Sequence, residues 1–90
     1  MTTKEIIFEG RVQGVGFRYT TKEIATGFDV CGTVKNLADG TVELQLQGED
    51  EEVEEYLKEI LEESAVSHHI KNHIIRDLPP LENPKGFKIV

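Results

Sequence analysis

The residues best suited to chemistry lie in a glycine-rich segment, residues 10–18, which reads Gly-Arg-Val-Gln-Gly-Val-Gly-Phe-Arg. Glycine has no Cβ and tolerates positive φ, so three glycines in seven residues allow the backbone to curl tightly against a ligand. An apolar run typical of a strand precedes the segment, and a run with helical periodicity follows it. A loop that curls just before a helix directs several N–H groups at one point, where the helix dipole adds positive charge. The segment therefore predicts a binding site for an anion such as phosphate.

Arg18 supports this interpretation. A cation in the first turn of a helix is unfavourable beside the dipole, and a bound dianion would compensate because the guanidinium can hold two phosphate oxygens. The segment is neither a nucleotide P-loop nor a dinucleotide fingerprint, and Val12 stands where a phosphocysteine loop carries cysteine. Because the loop contains no Ser, Thr or Cys, water would be the attacking group. The residues alone leave open a tight turn in which Arg18 has no role.

Asn36 is the second candidate. It ends the second predicted strand, just before the turn Leu37-Ala38-Asp39-Gly40. Asparagine is common at turns, where its side chain caps backbone groups, so a purely structural role is one interpretation. A functional role requires Asn36 to lie near Arg18. The first and second strands belong to one predicted sheet, which makes this proximity possible.

Length and composition bound the class of protein. Ninety residues predict one domain, residues 1–90, and 38% apolar with 30% charged residues is typical of a soluble globular chain. The N-terminus lacks a signal-peptide pattern, and no apolar run is long enough for a membrane span. A lone cysteine, Cys31, excludes a disulfide framework and a thiolate metal cluster. We therefore expect a cytoplasmic protein with no membrane partner.

The net charge of −7 argues against nucleic acid as a partner, since its binders carry basic patches. The charge is uneven: residues 1–48 contain five basic and six acidic side chains, and residues 49–90 contain five basic and eleven acidic ones. The acidic groups are thus concentrated away from the glycine segment, which carries Arg11 and Arg18. Arg11 and Lys35 either help to attract anions or are simply solvated.

The elements that must position these residues follow in the order strand, helix, strand, strand, helix, strand, with a short last strand. They are predicted at residues 4–9, 17–27, 30–37, 41–47, 50–63, 70–76 and 87–90. Gly27 is expected to end the first helix in a left-handed conformation, and the strand at 70–76 to contain a bulge. This order predicts an α+β fold, a ferredoxin-like βαββαβ sandwich whose antiparallel sheet carries two helices on one face.

The glycine segment, together with the downstream pattern Gly-x-Val-x-Asn at residues 32–36, resembles the acylphosphatase family. Residues 39–43 and Gly48 extend the resemblance, which is close over residues 6–48 and loose at residues 86–89. The family has the ferredoxin-like fold deduced above. The resemblance implies hydrolysis of the carboxylic–phosphoric anhydride of a small-molecule acyl phosphate, giving a carboxylate and inorganic phosphate. It implies no metal and no cofactor.

The resemblance also assigns roles to residues. It makes Arg18 the substrate-binding arginine and Asn36 the residue that positions the attacking water. Backbone N–H groups would form the phosphate cradle, at Val12, Gln13, Gly14, Val15, Gly16 and Phe17. Nothing in the loop addresses the acyl group, so we expect broad tolerance of that part of the substrate.

Two other functions are weighed against hydrolysis. The first is a non-catalytic phosphate-binding or regulatory module of the same fold, such as occurs within larger carbamoyl-transferring proteins. An end at Val90 instead favours a stand-alone protein, which we expect to be a monomer. The second is an RNA-binding or metal-carrier domain, which would need a basic, aromatic sheet face or a cysteine pair. The third strand is instead expected to point outward with Thr41, Glu43, Gln45 and Gln47. We interpret His68, His69 and His73 as surface or edge-strand residues, and Cys31 as a small strand residue.

Overall fold

A computed structural model describes residues 1–90 of the chain. The strands and α-helices are β1 (Thr2–Gly10), α1 (Phe17–Ala25), β2 (Val30–Asn36), β3 (Val42–Gly48), α2 (Asp50–Lys58), β4 (Ile70–Asp77) and β5 (Phe87–Ile89). A π-helical turn, Glu59–Glu63, extends α2, and a 3₁₀ turn, Ser67–His69, precedes β4. None of the helices is long and apolar enough to cross a membrane.

The five strands form one sheet in the order β4-β1-β3-β2-β5. The βαββαβ order and the ferredoxin-like class are confirmed, and the pairs β4–β1, β1–β3 and β3–β2 are antiparallel as predicted. The prediction of a wholly antiparallel sheet is wrong at β5, which runs parallel to β2 with Phe87 opposite Gly32. The reason is the connection at residues 78–86, which crosses the sheet, where the Leu81 N–H donates to Oε1 of Gln47 at 2.8 Å.

The core lies between the sheet and the two helices. Its largest members from the sheet alternate along each strand, as the sequence predicts, with Ile6 and Phe8 on β1 and Val42, Leu44 and Leu46 on β3. The helices contribute three buried residues each: Phe17, Thr21 and Ala25 from α1, and Val53, Tyr56 and Leu57 from α2. The buried Tyr56 hydroxyl donates to the Thr21 carbonyl at 2.8 Å and so links the helices, while burial raises the pKa of Tyr56.

The helix ends differ from the prediction. Gly27 does not adopt positive φ, so the expected left-handed end of α1 is wrong. The last carbonyls of α1 instead accept tight i to i+3 bonds, from the Gly27 N–H to Ile24 at 3.0 Å and from the Phe28 N–H to Ala25 at 3.1 Å. The second helix does extend to residue 63 as predicted, but its last turn, Glu59–Glu63, is π-helical.

A bulge fixes the point where β1 leaves the sheet. Glu9 lies opposite Asn72 and Gly10 opposite Ile70, so Lys71 has no partner and the predicted bulge in β4 is confirmed. Gly10 has a φ of 130°, and a Cβ on it would lie 2.4 Å from the His69 carbonyl oxygen. The glycine segment therefore starts at a position that accepts only glycine.

We predict that Gly10→Ala lowers the free energy of unfolding by about 3 kcal/mol, because it combines a disfavoured φ with a backbone clash. Gly40→Ala is the matched control: Gly40 also has a positive φ, of 91°, but a Cβ there meets nothing within 4 Å. We expect it to cost only about 1 kcal/mol. Urea denaturation measures both variants, and equal losses would contradict the steric argument.

Candidate active site

The glycine segment is fastened to the core at both ends. Val12 and Phe17 are each 1% exposed, and the Phe17 ring packs on Phe8 with centroids 5.0 Å apart. Between them Gly14 and Gly16 are exposed, with φ of 78° and 80°. Nothing lies within 4 Å of a Cβ built on either glycine, so these positions need glycine for their φ and not for space. The middle of the loop thus presents bare backbone to solvent.

The side chain of Gln13 joins this loop to the β2–β3 turn. Its Nε2 donates to the Leu37 carbonyl at 2.8 Å and to the Thr41 carbonyl at 2.9 Å. The Leu37 N–H also donates to the Thr41 carbonyl at 2.9 Å, which closes the turn on itself. The loop and the end of β2, where Asn36 lies, are therefore held in a fixed relation.

Asp39 stiffens the same turn from its outer side. The N–H and the hydroxyl of Thr41 donate to Oδ1 of Asp39 at 3.0 and 2.6 Å. These hydrogen bonds hold the pKa of Asp39 below its ordinary value. Asp39 therefore remains an acceptor for both groups of Thr41 in the turn that follows Asn36.

The start of α1 carries positive charge that no side chain neutralises. Gly16 is the N-cap residue, no side chain caps the helix, and the first turn contains no acidic residue. The N–H groups of that turn have no acceptor within the helix. The ion pairs of the protein are Lys4–Asp77 and Arg76–Glu5, so the guanidinium of Arg18 takes part in none. This end of the helix is suited to an anion.

Arg18 and Asn36 border one pocket of about 170 Å³. Its lining is Val12, Gly14, Gly16, Phe17, Arg18, Tyr19, Asn36 and Ile89. Four of the six predicted cradle residues are among these. The other two are not: Gln13 turns its side chain to the β2–β3 turn, and Val15 packs partly against the core. A single water needs only about 10–15 Å³ of such space, so the pocket has room for several small polar groups.

Asn36 contributes an unusual atom to this pocket. Alternation along β2 puts it on the same face as the buried Val34, which is the face covered by the helices. Its Oδ1 is buried and accepts no hydrogen bond from the protein. An unpaired buried acceptor costs about 1–3 kcal/mol, and such groups in folded proteins call for a functional account. Asn36 also borders the pocket, so its side-chain amide lies next to any ligand that enters there.

Residues 4–89 match the protein family described as acylphosphatase. An acylphosphatase of Listeria welshimeri is 44% identical over 81 residues, which cover 90% of this chain and 87% of that protein. The chain belongs to the acylphosphatase family. The acylphosphatase of Clostridium acetobutylicum is 40% identical over the same share of the chain. The crystal structure of acylphosphatase from Bacillus subtilis superposes with a TM-score of 0.89 at 33% identity and covers 100% of this chain and 99% of that one.

The remaining reactive side chains of this acylphosphatase-family chain lie outside the pocket. His68 and His69 stack on each other in the 3₁₀ turn with ring centroids 4.0 Å apart, and His73 is exposed on β4. No group of three or more His, Cys, Asp and Glu side chains is arranged to hold a metal ion. Partial burial and the charge of Asp29 raise the pKa of the Cys31 thiol, which disfavours the thiolate.

The Gln13 link predicts a coupled loss of binding and stability. Gln13→Ala removes two hydrogen bonds, so we expect the free energy of unfolding to fall by about 1–2 kcal/mol. The affinity of the pocket for inorganic phosphate should fall by about tenfold, a loss of about 1.4 kcal/mol, because the loop is no longer held against the turn. Titration calorimetry measures the affinity.

Gln45→Ala is the matched control, since Gln45 lies on β3 away from this pocket. We expect it to leave the affinity for phosphate unchanged. If Gln13→Ala lost stability but bound phosphate as tightly as the unmodified protein, the link would not serve the pocket.

Proposed function

We propose that this chain hydrolyses acyl phosphates to a carboxylate and inorganic phosphate, with Arg18 holding the phosphate and Asn36 holding the attacking water. The activity follows from membership of the acylphosphatase family and from relatives of nearly equal length that carry that name. The observation that supports the residue roles is the single pocket that Arg18, Asn36 and the glycine segment share.

Binding of the phosphate is the task of the loop. The guanidinium of Arg18 is free of carboxylates and can hold two oxygens of the dianion side by side. Backbone N–H groups of residues 12–17 and the start of α1 serve the other oxygens. Phosphoryl transfer depends mainly on positioning and on stabilising charge at these oxygens. The loop is suited to both, because its glycines leave the backbone open to the ligand.

Asn36 positions the nucleophile. Asn36 borders the pocket, and its side-chain amide holds a water by hydrogen bonding and so directs that water's lone pair at phosphorus. A bond forms between the water oxygen and phosphorus, and the bond between phosphorus and the acyl oxygen breaks, so its electron pair leaves with the carboxylate. An amide is a poor base, so a proton of the water passes to a phosphate oxygen. The products are RCOO⁻ and H₂PO₄⁻, which balance RCO–OPO₃²⁻ and water.

The proposal also covers the cofactors, the oligomeric state and the location of the enzyme. The carboxylate is a good leaving group, so the step we propose uses no metal and no cofactor. We propose a monomer as the active unit and residues 1–90 as one domain, in which 14 buried hydrophobic residues form a single core cluster. We place the enzyme in the cytoplasm, acting on a small-molecule acyl phosphate.

The first test is Asn36→Ala. We expect kcat for benzoyl phosphate, assayed without added metal, to fall by about 10²–10³-fold because one interaction in the transition state is lost. The free energy of unfolding should not decrease, because the change removes an unpaired buried acceptor. Asn72→Ala, on the exposed face of β4, is the control and should keep full activity. Full activity in Asn36→Ala would refute the assigned role.

The second test separates specific binding of phosphate by Arg18 from a general effect of positive charge in the loop. Arg18→Ala should weaken inhibition by inorganic phosphate and lower kcat/KM by at least about 10²-fold, since a hydrogen bond to a charged group is lost together with the charge. Arg11→Ala removes the same charge from an exposed residue of the same loop, and we expect it to lower kcat/KM by less than about threefold. Equal losses in the two variants would show that the loop acts only through its net charge. Phosphate binding without turnover in the unmodified chain would favour the regulatory module instead.

A further inference from the structure

The pocket contains apolar surface that the chemistry at phosphorus does not use. Four of its lining residues are apolar or aromatic, and two of them, Val12 and Phe17, are buried in the core. The other two, Tyr19 and Ile89, are 66% and 39% exposed. The chain exposes only six large hydrophobic residues: Met1, Tyr19, Ile74, Ile75, Ile89 and Val90. Two of the six therefore border the same small pocket.

Tyr19 lies on the helix that carries Arg18, and Ile89 lies on the strand next to the one that carries Asn36. Tyr19 is the third residue of α1 and follows Arg18 directly. Ile89 lies on β5 opposite Val34 of β2. Val34 precedes Asn36 by two residues on that strand. Exposed apolar residues scattered singly need no explanation, but a pair at one concave site indicates a ligand with an apolar part.

We propose that Tyr19 and Ile89 form the contact surface for the acyl group and determine specificity for it. This inference rests on the proposed function. An acyl phosphate has a charged end, which the loop and Arg18 serve, and an acyl end, for which a phenol ring and a branched aliphatic side chain are suitable partners. The enzyme consequently prefers aromatic or branched apolar acyl phosphates to acetyl phosphate. A modest preference of this kind is compatible with the broad acyl tolerance expected from the sequence.

The size of the preference follows from the exposure of the two side chains. A methylene group in a closed apolar pocket discriminates by about 10–200-fold. Tyr19 and Ile89 stay partly in water and cover only one side of a ligand, so each should contribute less. We expect a preference of about tenfold in kcat/KM for benzoyl phosphate over acetyl phosphate, shared between the two residues.

The experiment compares kcat/KM for benzoyl phosphate and for acetyl phosphate in four variants. In Tyr19→Ala and in Ile89→Ala the ratio of the two values should fall by about threefold or more, with the larger loss on benzoyl phosphate. Tyr19→Phe should keep the ratio, because the ring and not the hydroxyl makes the contact. Ile75→Ala is the matched control, as Ile75 is 41% exposed on β4, away from the pocket; it should change neither value.

The outcomes separate this proposal from the one on which it rests. An unchanged ratio in both alanine variants, or an equal loss on the two substrates, overturns the acyl contact while hydrolysis itself stands. A ratio near one in the unmodified enzyme overturns it as well. Failure of the proposed function has a different signature, which is no turnover of either substrate by the unmodified chain, and it removes this proposal too.

Discussion

The two hydrogen bonds from the Gln13 amide to the carbonyls of Leu37 and Thr41 connect the two parts of the pocket. One part is a loop whose ends are buried but whose middle is bare glycine backbone. The other part is the end of β2, held by the sheet and by the turn at Asp39. Phosphoryl transfer tolerates little displacement between the bound phosphate and the nucleophile. A link between the loop and the turn is therefore the constraint on which the geometry of the site depends.

The same region contains several groups that do not favour folding. Oδ1 of Asn36 is buried without a partner, α1 begins without a side-chain cap, and Arg18 adds a cation next to the positive end of the helix dipole. Each of these features opposes stability, and a bound phosphate would offset the positive charge of the last two. The continuous core beneath the loop, which includes Val12 and Phe17, offsets them. Enzymes commonly combine a destabilised active site with a core that supplies the stability.

Much of this architecture could be predicted from the residues. Alternating apolar positions identified the inward faces of β1 and β3, Asp39-Gly40 indicated the hairpin, and the glycine segment with Asn36 led to the family. These features are local in sequence, so their patterns are visible without a structure. That the glycine segment and Asn36 border one pocket depends on the order of strands in the sheet. The sequence predicts this order only indirectly, because the order of helices and strands indicates the fold class.

Other features could not be predicted, for physical reasons that differ from case to case. Gly27 stands where a left-handed residue often ends a helix. Hydrogen bonds between residues i and i+3 instead pair the last carbonyls of α1, so no left-handed residue is needed. The parallel direction of β5 results from the crossing of residues 78–86, and three residues carry no signal of direction. The side-chain role of Gln13 and the exposure of Tyr19 and Ile89 at the pocket depend on tertiary contacts. A glutamine next to a buried valine, or an isoleucine in a short strand, looks ordinary in sequence.

The most direct test of the central claim is a crystal structure of the protein with inorganic phosphate bound. We expect one phosphate in the pocket between the glycine loop and β2, with the Arg18 guanidinium donating to its oxygens at about 2.7–2.9 Å. A water or a phosphate oxygen should lie within hydrogen-bond distance of the Asn36 amide. Phosphate bound away from this loop, or bound there with Asn36 out of reach, would contradict the claim that these two residues act at one site.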